Sequence, residues 1–187
     1  MRRRDDDKER RIKEAVIQLI LEEGWNGTSI SKIARLAEVS PATVYVYFDS
    51  KEDMLQDIYR EYSEDVYSCL LSGVRPGMHP DEMLSALIRG YYRYILENPE
   101  AFCFIEQFSG CPALSNSCSG KTGACRIYEL IGELRSEGVI RNYDNEVLFA
   151  AIFYPVKAIA ADSRRTGEER ERLLTELIDL IEHAILC

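Results

Sequence analysis

Thr43, Tyr45, Tyr47 and Lys51 bring three hydroxyls and one ammonium into nine consecutive residues. Groups of this kind donate hydrogen bonds to phosphate oxygens and base edges. They are poorly furnished for bond-making chemistry. The chain has two histidines, His79 and His183, and shows no nucleophile elbow, no glycine-rich phosphate loop and no His–carboxylate set. An enzyme is therefore not expected, and neither is a cofactor. The thiols are the other reactive groups. Cys103, Cys111, Cys118 and Cys125 follow one another at intervals of eight, seven and seven, without a CxxC pair. Cysteine-based zinc sites show tighter pairs, so no metal site is expected and ordinary thiols are the default reading. Cys111, Cys118 and Cys125, in or beside one irregular stretch, leave an alternative open: a regulator that senses an oxidant, an electrophile or a thiophilic metal.

The hydroxyls and the ammonium must be held by the segment Ser29 to Lys51, SISKIARLAEVSPATVYVYFDSK. It reads as two short helices joined by a tight turn and running into a third. Ile30, Ile33, Ala34 and Leu36 put apolar groups on the first helix, and Val39 is the apolar plug of the turn. Ser40 is a good N-cap. Pro41 suits the first helical position, where the N–H it lacks would be unpaired anyway. In the second helix Val44 and Phe48 are the residues to bury, which leaves Thr43, Tyr45 and Tyr47 outside. A short helix with exposed hydroxyls behind a tight turn is what a helix-turn-helix presents to the major groove.

From about Arg11 to about Tyr59 the sequence resembles the DNA-binding signature of the tetracycline-repressor (TetR) family. Thr28-Ser29 before the first helix, Ile33-Ala34, the turn, Thr43-Val44-Tyr45, Tyr47-Phe48 and Ser50-Lys51-Glu52 carry the resemblance. Glu38 departs from it, because the family usually has Gly there. The position favours φ > 0, so Glu costs ~1 kcal/mol. The resemblance implies that Ser31, Ser40, Pro41, Ala42, Thr43, Tyr45, Tyr47 and Lys51 occupy DNA-facing positions. Thr28 or Ser29 caps the first helix and sets its backbone N–H groups against a phosphate. Tyr47 and Lys51 are expected on phosphates. Thr43 and Tyr45 suit phosphates or base edges, Tyr45 alternatively packing under the first helix. Pro41 and Ala42 offer only apolar contacts. The second helix has no Arg, Asn or Gln for bidentate base reading, which leaves a share to DNA shape, Lys32 and Arg35.

Net charge is −9, which argues against nucleic acid until it is divided by region. Up to Leu55 there are 10 basic and 11 acidic residues, and the remainder carries 13 against 21. The reader is near neutral and the rest holds the acidic excess, so non-specific affinity should be weak. Arg2-Arg3-Arg4 either follows the phosphate backbone or minor groove, or forms a tail neutralised by Asp5-Asp6-Asp7. No apolar run reaches the ~18 residues of a membrane helix; Leu148 to Ala161 is interrupted by Pro155 and Lys157. The opening MRRRDDDKERR shows no secretion signal. A cytoplasmic protein without a membrane partner is expected.

The rest of the chain repeats the helical period. Apolar faces recur over Glu9–Glu23, Lys51–Gly73, Met83–Ile95, a short helix to about Phe108, Ala124–Ser136, a helix from Asn142 or Asp144 to Arg165 containing Pro155, and Leu173–Ile185. The expected fold is all-α with about nine helices: an N-terminal helix-turn-helix domain over residues 1–50 (the motif itself at about 29–48) and an effector-binding and dimerisation bundle over 51–187. Tyr59, Tyr62, Tyr91, Tyr94, Phe104, Phe108, Tyr128 and Phe153 are candidates to line a pocket for an apolar or aromatic small molecule, although each is also an ordinary core residue. The family resemblance implies a homodimer joined through its last two helices. Phe153, Leu173, Leu177, Leu180, Ile181 and Ala184 are the candidate contacts. The expected function is a ligand-responsive regulator on double-stranded operator DNA, most simply a repressor. The cysteine-based regulator is one alternative. A helical adaptor without DNA binding, which Glu38 and the acidic balance allow, is another.

Overall fold

In the computed structural model of the protein, residues 6–109 and 123–187 are described. Among these the chain is all-α: α1 (Asp6–Gly27), α2 (Ile30–Leu36), α3 (Pro41–Tyr47), α4 (Lys51–Leu71), α5 (Pro80–Glu97), α6 (Pro99–Phe108), α7 (Gly123–Ser136), α8 (Asn145–Ala161) and α9 (Gly167–Ile185). The arginine arm, Cys111, Cys118 and most of the irregular Ser109–Gly123 stretch lie outside the described residues. The expected stop at Gly24 is visible as a break inside α1, where Gly24 takes φ 75°. That value is open to glycine at little cost. Asp144 caps α8, accepting from the N–H of Glu146 at 2.8 Å, and α8 ends at Ala161 rather than near Arg165. Thr166 and Glu169 form the expected capping box of α9.

The described residues fall into two compact units. One takes the described chain up to Ser63 together with residues 100–109. Its core is Ile12, Val16 and Ile20 of α1, Ile33 of α2, Val44 of α3, Met54 and Ile58 of α4, and Phe104 of α6, each essentially sealed from solvent. Burying a side chain of this size stabilises by about 1.5–3 kcal/mol relative to leaving it exposed. The stripe of α2 is Ile30, Ile33, Ala34 and Ala37, at i, i+3, i+4 and i+7. Leu36 falls off that stripe and is 40% exposed. Compact packing in this unit extends past residue 50, because Met54, Leu55 and Ile58 close the bottom of the same core.

The other unit comprises Glu64–Pro99 and the residues from 123 on. In it α8 packs against both α5 and α9. The buried stripes repeat every three to four residues: Leu84, Ile88, Tyr91 and Ile95 on α5; Leu148, Ile152, Val156 and Ala160 on α8; Leu174, Ile178, Ile181 and Ile185 on α9. Gly90 lets α5 lie directly on the end of α4, since a Cβ there would stand 2.7 Å from the carbonyl oxygen of Cys69. The chain end is tied down as well. Arg141 N–H donates to the Ile185 carbonyl at 2.9 Å, and Cys187 N–H to the Val139 carbonyl at 3.0 Å.

Candidate nucleic-acid interface

The helix-turn-helix is fixed by local hydrogen bonds. Ser29 is the N-cap of α2, its Oγ accepting from Lys32 N–H at 3.4 Å. In the turn, Ala37 N–H donates to the Ile33 carbonyl at 2.8 Å and Val39 N–H to the Ala34 carbonyl at 2.9 Å. Glu38 occupies the left-handed region with φ 55°, the one non-glycine residue to do so among the described residues. The strain inferred at this position is therefore present, and its side chain is 85% exposed. Arg11 steadies the turn, donating to the Ala37 carbonyl at 3.0 Å, with Glu38 3.8 Å away. Ser40 caps α3 by accepting from Thr43 N–H at 3.1 Å, and the two hydroxyls pair at 2.8 Å.

The faces of α3 differ from the expected ones at Tyr47. Val44 and Phe48 are buried as expected, but Tyr47 joins them at 8% exposed. Val44, Tyr47 and Phe48 stand at i, i+3 and i+4, so a helix that buries the outer two buries the third as well. Tyr47 is thus largely inside rather than free on the outer face. Tyr45 is outside at 56% exposed, which removes the reading that it packs under the first helix. Val46, not singled out from the sequence, is outside too at 47%. Pro41 and Ala42 are exposed and Thr43 is half-buried. On and before α2, Ser29 and Ser31 are exposed, but Thr28 is 3% exposed and donates its hydroxyl to the Gly24 carbonyl at 2.9 Å.

The cations of this unit are largely committed to protein partners. Lys51 Nζ donates to the Trp25 carbonyl and lies 3.9 Å from the centre of the Trp25 ring. Its partial burial lowers its pKa. Lys32 Nζ bonds Glu23 and the Gly27 carbonyl. Lys13 is 5% exposed and reaches Glu9 at 2.9 Å, Asp57 at 3.6 Å, and Glu61 in a hydrogen bond. Burial works against its charge, but the hydrogen bonds to Glu61 and Glu9 prevail and push its pKa up to about 12. Lys13 fastens α1 to α4 beneath the reading helices. Its sequence neighbourhood, RRIKEAV, looks like an ordinary surface, and the only local signal is Glu9 four residues before it. Arg35 on α2 is exposed.

The candidate effector residues do not form one set. Phe104 is in the core of the first unit, with Tyr59, Tyr62 and Phe108 packed against that core. In the second unit Tyr91 and Tyr94 are buried, Tyr91 meeting Phe153 edge-on at 4.9 Å. Tyr128 is half exposed beside Phe149. A cavity of about 50 Å³ lies within this unit, walled by Leu84 and Leu87 of α5, Ile127 to Leu134 of α7, Phe149 and Phe153 of α8, and Ile140, Ile185 and Leu186 near the chain end. Of the candidates only Phe153 lines it. Aliphatic residues, passed over in favour of aromatic ones, make most of the wall. Among the candidate dimer contacts, Leu180 is 65% exposed, Ala184 is exposed, and Leu173, Leu177 and Phe153 are half-buried. Ile181 is 3% exposed and belongs to the protomer's own core, one turn-face away from Leu180. Val147, Ala151, Tyr154 and Ala158 add an exposed apolar row on α8.

Among the described residues Cys69, Cys103 and Cys187 are free thiols, and no group of three metal-ligating side chains converges. No helix of the described residues is long and apolar enough to cross a membrane.

A capped α2, a tight turn and an α3 that shows its N-terminal face to solvent define a helix-turn-helix protein. Residues 12–58 match the family described as bacterial regulatory proteins, tetR family. An uncharacterized HTH-type transcriptional regulator of Haemophilus influenzae is 21% identical over 168 residues, covering 88% of this chain and 87% of that one. Among solved structures, a TetR family transcription regulator from Marinobacter aquaeolei VT8 superposes with a TM-score of 0.80 at 26% identity, covering 96% and 97% of the two chains. A TetR-family regulator from Haemophilus influenzae Rd shares the fold with a TM-score of 0.84 at 19% identity over 96% of this chain. The tetR-family match thus lies on the helix-turn-helix unit, and along its whole length the chain is similar to TetR-family transcription regulators.

Proposed function

We propose that this protein is a homodimeric, small-molecule-responsive regulator, most simply a cytoplasmic repressor that leaves its operator when an effector binds. The exposed outer face of α3, held by the Ser40 cap and the Val44–Tyr47–Phe48 anchor, is the observation that carries the DNA-binding part. Pro41, Ala42, Thr43 and Tyr45 are its groove-facing residues; Ser29, Ser31 and Ser40 lie at its phosphate edge. Lys51 serves a phosphate only by leaving the Trp25 carbonyl, and Tyr47 only through the edge of a ring that is otherwise packed. Thr28 acts by holding the start of α2 in place. Two reading heads spanning successive major grooves need a dimer with a separation of ~34–36 Å. The row Val147–Ala158 is long, apolar and exposed, and the row Leu173–Ala184 is apolar and half-buried to exposed, as a two-helix contact with a second copy requires.

The hydrocarbon wall of the cavity supports an apolar effector. At about 50 Å³ it is far below the roughly 300–1,000 Å³ of sites that hold drug-sized ligands, so a ligand must open it. Such opening moves α5, α7 and α8 and so selects between two arrangements of the dimer. The domain assignment follows: residues 1–50 read DNA and 51–187 bind effector and partner. A mobility-shift assay on the promoter of the protein's own gene, with and without apolar compounds, tests the reading. A sequence-specific complex that an apolar compound dissolves is expected. A complex that forms equally on any duplex would count against it.

A further inference from the structure

We infer that α3 recognises its operator mainly through the 5-methyl groups of thymines in the major groove, with Ala42, Tyr45 and Val46 as the residues that set specificity. The inference rests on the DNA-binding reading above and adds what the bases are read by. Pro41, Ala42, Tyr45 and Val46 stand at i, i+1, i+4 and i+5, so they share one face of the helix. All four are exposed, whereas the opposite side, Val44, Tyr47 and Phe48, is buried. The outer face therefore consists of a prolyl ring, a methyl, a phenol and an isopropyl group.

Hydrogen-bond readout of guanine or adenine from this helix is largely closed off. Guanine is read by a bidentate Arg or Lys and adenine by a bidentate Asn or Gln, and PATVYVY contains none of them. The Thr43 hydroxyl is already paired with that of Ser40 at 2.8 Å. Nearby ammonium groups are held elsewhere, Lys32 on Glu23 and the Gly27 carbonyl, and Lys51 on the Trp25 carbonyl. Of the features a base pair offers in the major groove, the thymine methyl is the one that an apolar face can recognise. Tyr45 and Val46, at 56% and 47% exposed, are large hydrophobic side chains left in water until something apolar covers them. The groove is ~12 Å wide and admits a helix, so methyls projecting from its floor can meet this face directly.

The test starts with selection of binding sites from a random duplex library by the full-length protein. Thymines of the selected half-site are then replaced one at a time by deoxyuridine, which removes the methyl and keeps every hydrogen-bonding group. The expected result is an A·T-rich half-site in which one or two such replacements each weaken binding about fourfold, the worth of one buried methyl. In Val46→Ala the penalty for at least one of those thymines should shrink toward unity, with circular dichroism confirming an unchanged fold. Selected sites whose affinity is indifferent to every deoxyuridine replacement would overturn the methyl readout and leave the regulator reading intact. Enrichment of no sequence at all would overturn both.

Discussion

The outer face of α3 and the outer faces of α8 and α9 are both apolar and both exposed, yet they differ in length. From Pro41 to Val46 the α3 face spans six residues, or ~8 Å. The row from Val147 to Ala158 on α8 spans twelve residues, ~16 Å, and is joined by Leu173, Leu177, Leu180 and Ala184 on α9. A short patch fits across a groove, and a long double row fits another pair of helices. Their surroundings differ as well. In the first unit Lys13, Lys32 and Lys51 are drawn onto carboxylates, carbonyl oxygens and a ring of the same unit. A DNA reader that commits its ammonium groups in this way relies on shape and apolar contact more than on charge. This agrees with a region carrying 10 basic and 11 acidic residues up to Leu55.

The largest effect should come from breaking the long face. The double variant Tyr154→Asp, Leu180→Glu puts two carboxylates per protomer where a dimer would bury them. Light scattering should report a monomer, and operator affinity should fall about 100-fold or more as the two heads lose their linkage. A double variant that stays dimeric would assign the interface elsewhere.

Next in size is Lys13. Lys13→Ala leaves Glu9, Asp57 and Glu61 facing one another beside a cavity, and thermal or urea unfolding should show a loss of about 2–3 kcal/mol. Lys13→Met, which restores the volume without the charge, should lose less. The pH dependence carries a sign. The folded pKa of about 12 lies above the unfolded value of ~10.4, so the lysine's contribution is complete below pH ~10.5 and is lost as pH rises toward 12. The gap in stability between wild type and Lys13→Met should therefore be flat through neutral pH and narrow only in strong alkali.

These two expectations also show what could be read in advance. The nine helices of the described residues followed from the 3.6-residue period of long stripes such as Leu84–Ile95 and Leu174–Ile185, which leave little choice of face. The reader was legible because its cap, proline, plug and turn occur at fixed spacings. In the seven residues of α3 nearly every side chain is apolar or amphipathic, so period alone did not choose between Tyr47 and Val46. Lys13 was hidden because two of its three partners lie on α4, more than forty residues away. The cavity was missed because large aromatic rings are spent filling cores, Phe104 in one unit and Tyr91 in the other, whereas the unfilled space lies where aliphatic side chains of α5, α7 and α8 meet.

A smaller change sharpens the role of the turn. Glu38→Gly removes a left-handed non-glycine residue and should stabilise the protein by about 1 kcal/mol in chemical denaturation. It also removes a carboxylate beside the reading helix, so affinity for the selected duplex should rise a few-fold at low salt. Smaller still, Arg35→Gln should weaken binding about threefold and flatten the salt dependence by roughly one ion per protomer. Lys51→Gln should do less, because Lys51 gives up the Trp25 carbonyl and ring to reach a phosphate.

A hydroxyl-radical footprint of the full-length protein on its selected duplex tests the central claim most directly. The account predicts two protected patches about one helical turn apart, related by a twofold axis and both lost in Tyr154→Asp, Leu180→Glu. A single patch, or protection that survives in that double variant, would contradict a dimer that reads DNA with two α3 helices.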